Sequence, residues 1–221
     1  MFQQEIRTKV KICGLTTLED ARFASGALAD YLGFIFYDKS PRFIEPGRAS
    51  AIISWIEGPK KVGVFVNQPL DEVNDTARLT GIDLVQLHGT ESPEYCQLIQ
   101  LPVIKVLHVE ENTTVSELEE MIGLYSAVSE YLLFDTKSDT KWGGTGRTFD
   151  WELIRNQTRE IPFILSGGLN SGNIRLAIET TSPDVVDLSS GLEESPGLKC
   201  FDKMELFFEE MRKIRDQQES A

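Results

Sequence analysis

The sequence is poor in the residues that staple or anchor a fold. Of its 221 residues only 3 are cysteines, namely Cys13, Cys96 and Cys200. They are odd in number, far apart and without a C-x-x-C pair, which argues against a disulfide framework or a thiolate metal site and fits a reducing cytoplasm. No run of ~18 apolar residues occurs, so no transmembrane helix is expected. Met1 to Lys9 contains Glu5, Arg7 and Lys9 and no apolar core segment, so it does not read as a signal peptide. Positive charge is also scarce: 22 Lys plus Arg stand against 35 Asp plus Glu, a net charge of −13. That field repels polyanions at long range, and nucleic acid and acidic membrane surfaces are not expected partners. A small anionic ligand is compatible with it if local donors hold the ligand. No linker or low-complexity segment breaks the chain.

What is present is an ordinary globular balance, 41% hydrophobic and 26% charged residues, in a length that suits one barrel-sized domain. Eight short apolar runs recur: Val10–Cys13, Tyr31–Ile35, Val62–Val66, Leu84–Leu87, Val103–Leu107, Tyr131–Phe134, Phe163–Leu165 and Val185–Leu188. Between them lies room for one helix and two loops each. Thr16-Thr17-Leu18-Glu19 predicts a capping box with Thr16 as N-cap. Ser92-Pro93 predicts an N-cap followed by proline at the first helical position. Met204, Phe207, Phe208, Met211 and Ile214 predict one apolar helix stripe, with Asp202 as N-cap and Glu205 at N3. Strand–helix alternation implies a parallel sheet with right-handed crossovers. Eight units fit a (β/α)8 TIM barrel, α/β in class, as a single domain over residues 1–221 with a polar, frayed tail from about Asp216 to Ala221. A doubly wound open sheet is the alternative, but Gly14 is followed by Leu15-Thr16-Thr17, so the G-x-G-x-x-G fingerprint is missing.

In such a barrel the C-terminal strand ends carry the chemistry. The first ends at Cys13. Period 2 puts Lys11 and Lys9 on the same side, and a nearby ammonium favours thiolate over thiol. The thiol is open to two readings, a buried structural group or a reactive base. Arg42 follows the second strand and could grip a carboxylate bidentately. His88 and His108, the only histidines, follow the fourth and fifth strands; each could serve as general acid or base, or as polar filler at the barrel mouth. Asp135 follows an apolar run, where a carboxylate is costly to bury without purpose, and reads either as a catalytic acid or as a loop cap. The stretch Lys141–Arg147, with Gly144 at its centre, reads as a lid, a phosphate contact or a flexible turn. Gly167 and Gly168 end the seventh strand; Asp187, Ser189, Ser190 and Gly191 end the eighth. Loops at these two ends often form a phosphate site, so a phosphorylated small-molecule substrate is expected.

The segments KICGLTTLEDA, GFIFYDKSPRFI, KVGVFVNQPLDEV, QLHGTES, LLFDT, GGTGRTFDW, LSGGL and VDLSSGLEESPGLK, in this order, resemble the phosphoribosylanthranilate isomerases of tryptophan biosynthesis, from Lys11 to about Met204. The resemblance implies a (β/α)8 fold and an Amadori rearrangement of N-(5-phosphoribosyl)anthranilate, with neither cofactor nor metal. It implies Cys13 as general base, Asp135 as general acid, Arg42 on the anthranilate carboxylate, and the phosphate on the Gly167-Gly168 and Ser189-Ser190-Gly191 loops. His88, Gly144 and Asp187 complete the candidate substrate-binding set. Such families include monomers, homodimers and fused domains. Two departures stand out: Cys200 follows Lys199 where the family commonly has Asp, and Glu194 stands where serine is frequent. A histidine-pathway sugar isomerase, which uses two aspartates, and a binding protein without turnover are the alternatives; a cysteine at the first strand and glycine-serine loops in only one half speak against the first, and Cys13 and Asp135 together against the second.

Overall fold

A computed structural model of the chain describes residues 7–110, 112–136, 151–155 and 161–219. Eight strands close into a parallel barrel in chain order. They are β1 Lys9–Cys13, β2 Tyr31–Ile35, β3 Lys60–Phe65, β4 Leu84–Leu87, β5 Val103–Val109, β6 Tyr131–Thr136, β7 Phe163–Ser166 and β8 Val185–Leu188. β1 pairs with β2 on one side and with β8 on the other, so the sheet has no edge and the open doubly wound alternative is excluded. The helices are α1 Leu18–Gly26, α2 Pro46–Ile53, α3 Leu70–Thr80, α4 Pro93–Leu98, α5 Val115–Tyr125, α6 Trp151–Arg155, α7 Ile174–Thr181 and α8 Phe201–Glu219. After β8 a short antiparallel pair, β9 Glu193–Ser195 and β10 Leu198–Lys199, precedes α8. Among the described residues no helix is long and apolar enough to cross a membrane.

Two apolar layers hold this shape. The outer one lies between sheet and helices, where Ile12, Phe34, Leu107 and the α8 stripe Met204, Phe207, Phe208, Met211 and Ile214 are buried together. The inner one fills the barrel with Tyr31, Val62, Leu84, Ile104, Val106, Leu133, Ile164 and Val185. Each buried Val, Leu, Ile or Phe contributes ~1.5–3 kcal/mol. Side chains alternate along a strand, so the next inward positions toward the C-terminal ends follow from this list. They are Gly33, Val64, Gln86, His108, Asp135, Ser166 and Asp187. The inward positions thus turn mostly polar toward the C-terminal rim, and Lys11 of β1 is the buried charge among the deeper ones.

Two local expectations are corrected. The N-cap of α1 is Thr17, whose hydroxyl accepts from the Asp20 N–H, so the cap falls one residue later than Thr16. Thr16 instead donates its hydroxyl proton to the Gly197 carbonyl at 2.5 Å, tying the first loop to the hairpin. α8 begins at Phe201, and the Cys200 carbonyl accepts from the Met204 N–H. Asp202 therefore lies in the first turn, not at the cap, where its charge still complements the helix dipole. Ser92 caps α4 as its sequence implies, accepting from the Tyr95 N–H with Pro93 at the first helical position.

Candidate active site

A cavity of about 640 Å³ opens at the C-terminal ends of the strands. Cys13, Arg42, His88, Asp135, Gly167, Gly168, Asp187, Ser189, Ser190 and Gly191 all line it. Ten of the eleven candidate residues, from six strand ends, thus meet in one place. The eleventh, Gly144, lies outside the described residues.

The thiol sits at the end of β1 and is 6% exposed. Its space is made by a missing side chain: a Cβ on Gly33 of the neighbouring strand would lie 2.7 Å from Cys13 Sγ. Gly14, next in the chain, has φ +78, a left-handed conformation that favours glycine. A Cβ there would meet Arg42 Cδ at 2.7 Å and Ser189 Oγ at 3.1 Å. Two other site residues therefore pack where a side chain at position 14 would stand.

Lys11 lies one inward position below the thiol and is wholly buried. It does not act on the thiol alone. β1 and β8 pair with Lys11 opposite Asp187, and Lys11 Nζ lies 2.9 Å from Asp187 Oδ2. Burial pushes the Cys13 thiol up, the Lys11 cation opposes this, and Asp187 reinforces it. The net direction is up, the reverse of what a free lysine neighbour implies. Burial would lower the Lys11 ammonium, but Asp187 and the thiol raise it above the ordinary lysine value.

Arg42 is spoken for within the protein. Its Nε and Nη2 donate to Glu193 Oε1 and Oε2 at 2.8 and 2.6 Å, a bidentate pair. Lys199 Nζ donates to the same Glu193 carboxylate at 2.9 Å and to the Ser189 carbonyl at 3.2 Å. Burial alone would raise the Glu193 carboxyl, yet Arg42 and Lys199 hold it below the usual carboxylate range. Burial and the nearby Arg42 cation push the Lys199 ammonium down in turn. Lys11, Arg42 and Lys199 gather around Asp187 and Glu193 beside the cavity, a concentration of cations in a chain of net charge −13.

The two small-residue loops touch. A Cβ on Gly191 would strike the Leu169 carbonyl, so the loop after β8 lies against the loop after β7. Ser189 Oγ is buried and has no hydrogen-bond partner among the described residues. An orphaned buried hydroxyl costs ~1–3 kcal/mol unless a ligand satisfies it.

Asp135 ends the inward row of β6. His88 Nε2 lies 3.4 Å and His108 Nδ1 4.0 Å from its Oδ2. The stretch after β4 that carries His88 is held by a buried pair: Lys105 Nζ donates to Glu91 Oε2 at 2.7 Å and to the Gly89 carbonyl at 2.7 Å. The Glu91 carboxylate also accepts from the Asn67 and Gly89 N–H groups. Glu193, Lys199, Glu91 and Lys105 do not stand out in the sequence. Each partner of Glu193 lies on a different segment, and a pattern read along the chain does not show which charges pair across segments.

A model of the family described as N-(5'phosphoribosyl)anthranilate (PRA) isomerase matches residues 10–210. A relative from Geobacter sp. (strain M21), named N-(5'-phosphoribosyl)anthranilate isomerase, is 46% identical over 208 residues, which are 94% of this chain and 99% of the relative. The crystal structure of phosphoribosyl anthranilate isomerase from Thermotoga maritima is 39% identical, with a TM-score of 0.85 over 93% of this chain and 99% of that one. A phosphoribosyl anthranilate isomerase in complex with reduced 1-(o-carboxyphenylamino)-1-deoxyribulose 5-phosphate is 37% identical, with a TM-score of 0.81 over 93% of this chain and 99% of that one.

Proposed function

The chain belongs to the N-(5'-phosphoribosyl)anthranilate isomerase family, and from that premise we propose how its own residues carry out the rearrangement in tryptophan biosynthesis. The substrate is N-(5-phosphoribosyl)anthranilate and the product 1-(o-carboxyphenylamino)-1-deoxyribulose 5-phosphate. The observation that carries the reading is that Cys13 and Asp135, from β1 and β6, line one cavity with the two glycine and serine loops.

The furanose opens when its ring oxygen takes a proton, and Asp135 is the acid that gives it. Opening leaves an iminium at C1, which acidifies the hydrogen on C2. The Cys13 thiolate removes that proton, and the enolamine tautomerises to the ketone. The phosphate rests on Gly167, Gly168, Ser189, Ser190 and Gly191, where Ser189 Oγ gains the partner it lacks. Arg42, with Nε and Nη2 fixed on Glu193, turns its remaining N–H groups to the anthranilate carboxylate. Binding energy from the phosphate and carboxylate, both remote from C1 and C2, aligns the sugar between acid and base. Asp187 acts on the base through Lys11, and the chain works in the reducing cytoplasm, where its three free cysteines stay reduced.

Purified protein given freshly prepared phosphoribosylanthranilate will consume it, read as loss of anthranilate fluorescence; a preparation with intact fold and no turnover overturns the reading. The pH dependence is a sharper test. The base must be deprotonated, and burial holds its thiol above the ordinary value. kcat/KM, which reports the free enzyme, will therefore still be rising at and beyond ~pH 8.5, the ordinary thiol value. A profile already flat by neutral pH contradicts a buried thiol base.

A further inference from the structure

The polar rim holds one group of side chains whose arrangement the sugar chemistry does not require. β4, β5 and β6 are neighbours, and their C-terminal ends bring His88, His108 and Asp135 together. His108 and Asp135 are directly opposed in the β5–β6 ladder. One ligand atom from each of the three lies within 4.8 Å of the other two. Zinc binds nitrogen and oxygen at ~2.0–2.2 Å, which puts tetrahedral ligand pairs about 3.3–3.5 Å apart. The His88 Nε2 to Asp135 Oδ2 spacing of 3.4 Å already meets this; the His108 Nδ1 to Oδ2 spacing of 4.0 Å needs a small closure. The three side chains are 33%, 25% and 22% exposed, so they have room to make it.

The far side of each ring supplies a second argument. A histidine that ligates a metal almost always donates its other N–H to a carbonyl or carboxylate. His108 Nε2 lies 3.1 Å from the His88 carbonyl oxygen, which only accepts. His108 therefore carries a proton on Nε2, and Nδ1 is the nitrogen that faces Asp135. His88 Nδ1 lies 3.2 Å from Gln86 Nε2, an amide N–H that donates to the ring. Turning that amide over would bring to Nδ1 the Gln86 Oε1, which is buried without a hydrogen-bond partner among the described residues; Nδ1 would then carry the proton and Nε2 would offer its lone pair. His108 has the anchor that a ligating histidine uses, and His88 gains it when the Gln86 amide turns. His88 and Asp135 also line the cavity, which leaves an open coordination position toward the substrate. The two rings also meet edge to face at 5.1 Å, a packing that needs no metal, so the experiment must separate the two.

We propose that His88 Nε2, His108 Nδ1 and Asp135 Oδ2 form a site for one borderline divalent transition-metal ion such as Zn²⁺ or Co²⁺, and that its occupancy reversibly inhibits the isomerase. Two imidazoles with one carboxylate suit these ions and discriminate against Mg²⁺ and Ca²⁺, which prefer all-oxygen shells. The inhibitory half rests on Asp135 as the acid, because a carboxylate coordinated to a dication cannot deliver a proton to the sugar.

The test is a Co²⁺ titration of the full chain followed by visible absorption, with Zn²⁺ competition by calorimetry. One Co²⁺ per chain is expected, with ligand-field bands that Zn²⁺ displaces. H108A and H88A each weaken binding by more than the ~10–100-fold that loss of a supporting residue costs, and Gln86→Leu weakens it within that range. Circular dichroism checks each fold, and His108→Phe, which keeps a ring against His88, serves if alanine unfolds the chain. Zn²⁺ lowers turnover, a chelator restores it, and the half-inhibitory concentration of each variant, relative to its own turnover, follows its Co²⁺ affinity. Absent bands, bands unchanged in both histidine variants, or bands that vanish in Cys13→Ser instead overturn the site. A cobalt-loaded protein with full turnover overturns the inhibition. An Asp135→Asn variant with normal turnover overturns the acid reading instead, and the cobalt spectrum still decides the site.

Discussion

Cys13→Ala and Asp135→Asn will each lower kcat by ~10²–10⁴-fold, the range that a positioned proton-transfer group contributes. KM should change much less, because the proposed phosphate and carboxylate contacts lie elsewhere in the cavity. The two losses differ in kind. Asp135→Asn keeps the size of the side chain and removes the proposed proton donor. Cys13→Ala removes the proposed base and, with it, the alkaline rise of kcat/KM. The alanine also leaves Gly33 facing a void, a cost of order 1 kcal/mol for a side chain this small, so the fold persists and the kinetics are readable. Single-turnover fluorescence on both variants makes the comparison. Normal turnover in Cys13→Ala would remove the thiol from the mechanism, and normal turnover in Asp135→Asn would remove the carboxyl.

The largest effect on stability is expected at Glu193. Its carboxylate holds Arg42 and Lys199 at once, and the Glu193 and Lys199 side chains are at most 3% exposed. Glu193→Ala leaves two buried cations facing each other, and breaking a buried pair in this way costs ~3–5 kcal/mol. For a chain of this length that is a fall in Tm of roughly 6–20 °C. KM should rise as well, since Arg42 loses the anchor that aims it. Because Glu193 titrates below the ordinary carboxylate range, its contribution is present at neutral pH and lost only as pH falls through that lowered value. Thermal melts at pH 7 of Glu193→Ala and Glu193→Gln give the answer, with the glutamine intermediate because it keeps one hydrogen-bonding face. A melting point within 2 °C of the parent, a margin of about 1 kcal/mol or less, would show that the cluster is not a structural hub.

The eight strands were legible because each is an apolar run bounded by turn residues, and β2, β4 and β8 begin and end where the runs do. The position of the site was legible too, since barrel strand ends converge and those ends carry Cys13, Asp135 and the small-residue loops. Two things were not. The first is a cap one residue off: Thr16 and Thr17 are chemically alike, and only the Thr16 bond to Gly197, 181 residues away, separates their roles. The second is the sign of the shift at Cys13. Lys11 is visible beside the thiol by period 2, but Asp187 faces it only through the β1–β8 register, and a pattern read along the chain carries no register between its two ends. The Arg42–Glu193 pair, 151 residues apart, was hidden for the same reason.

That β1–β8 register also has a consequence for how the protein is made. Of the eight barrel strands, the one that bears the thiol comes first in the chain and the one that neutralises Lys11 comes last. Thr8 and Pro183, 175 residues apart, are joined by a hydrogen bond across the same junction. Without β8 the Lys11 cation lacks its Asp187 partner, and burying it alone costs free energy that the pair offsets when β8 docks beside β1. The charge pair beside the thiol is thus completed only when the barrel closes between its first and its eighth strand.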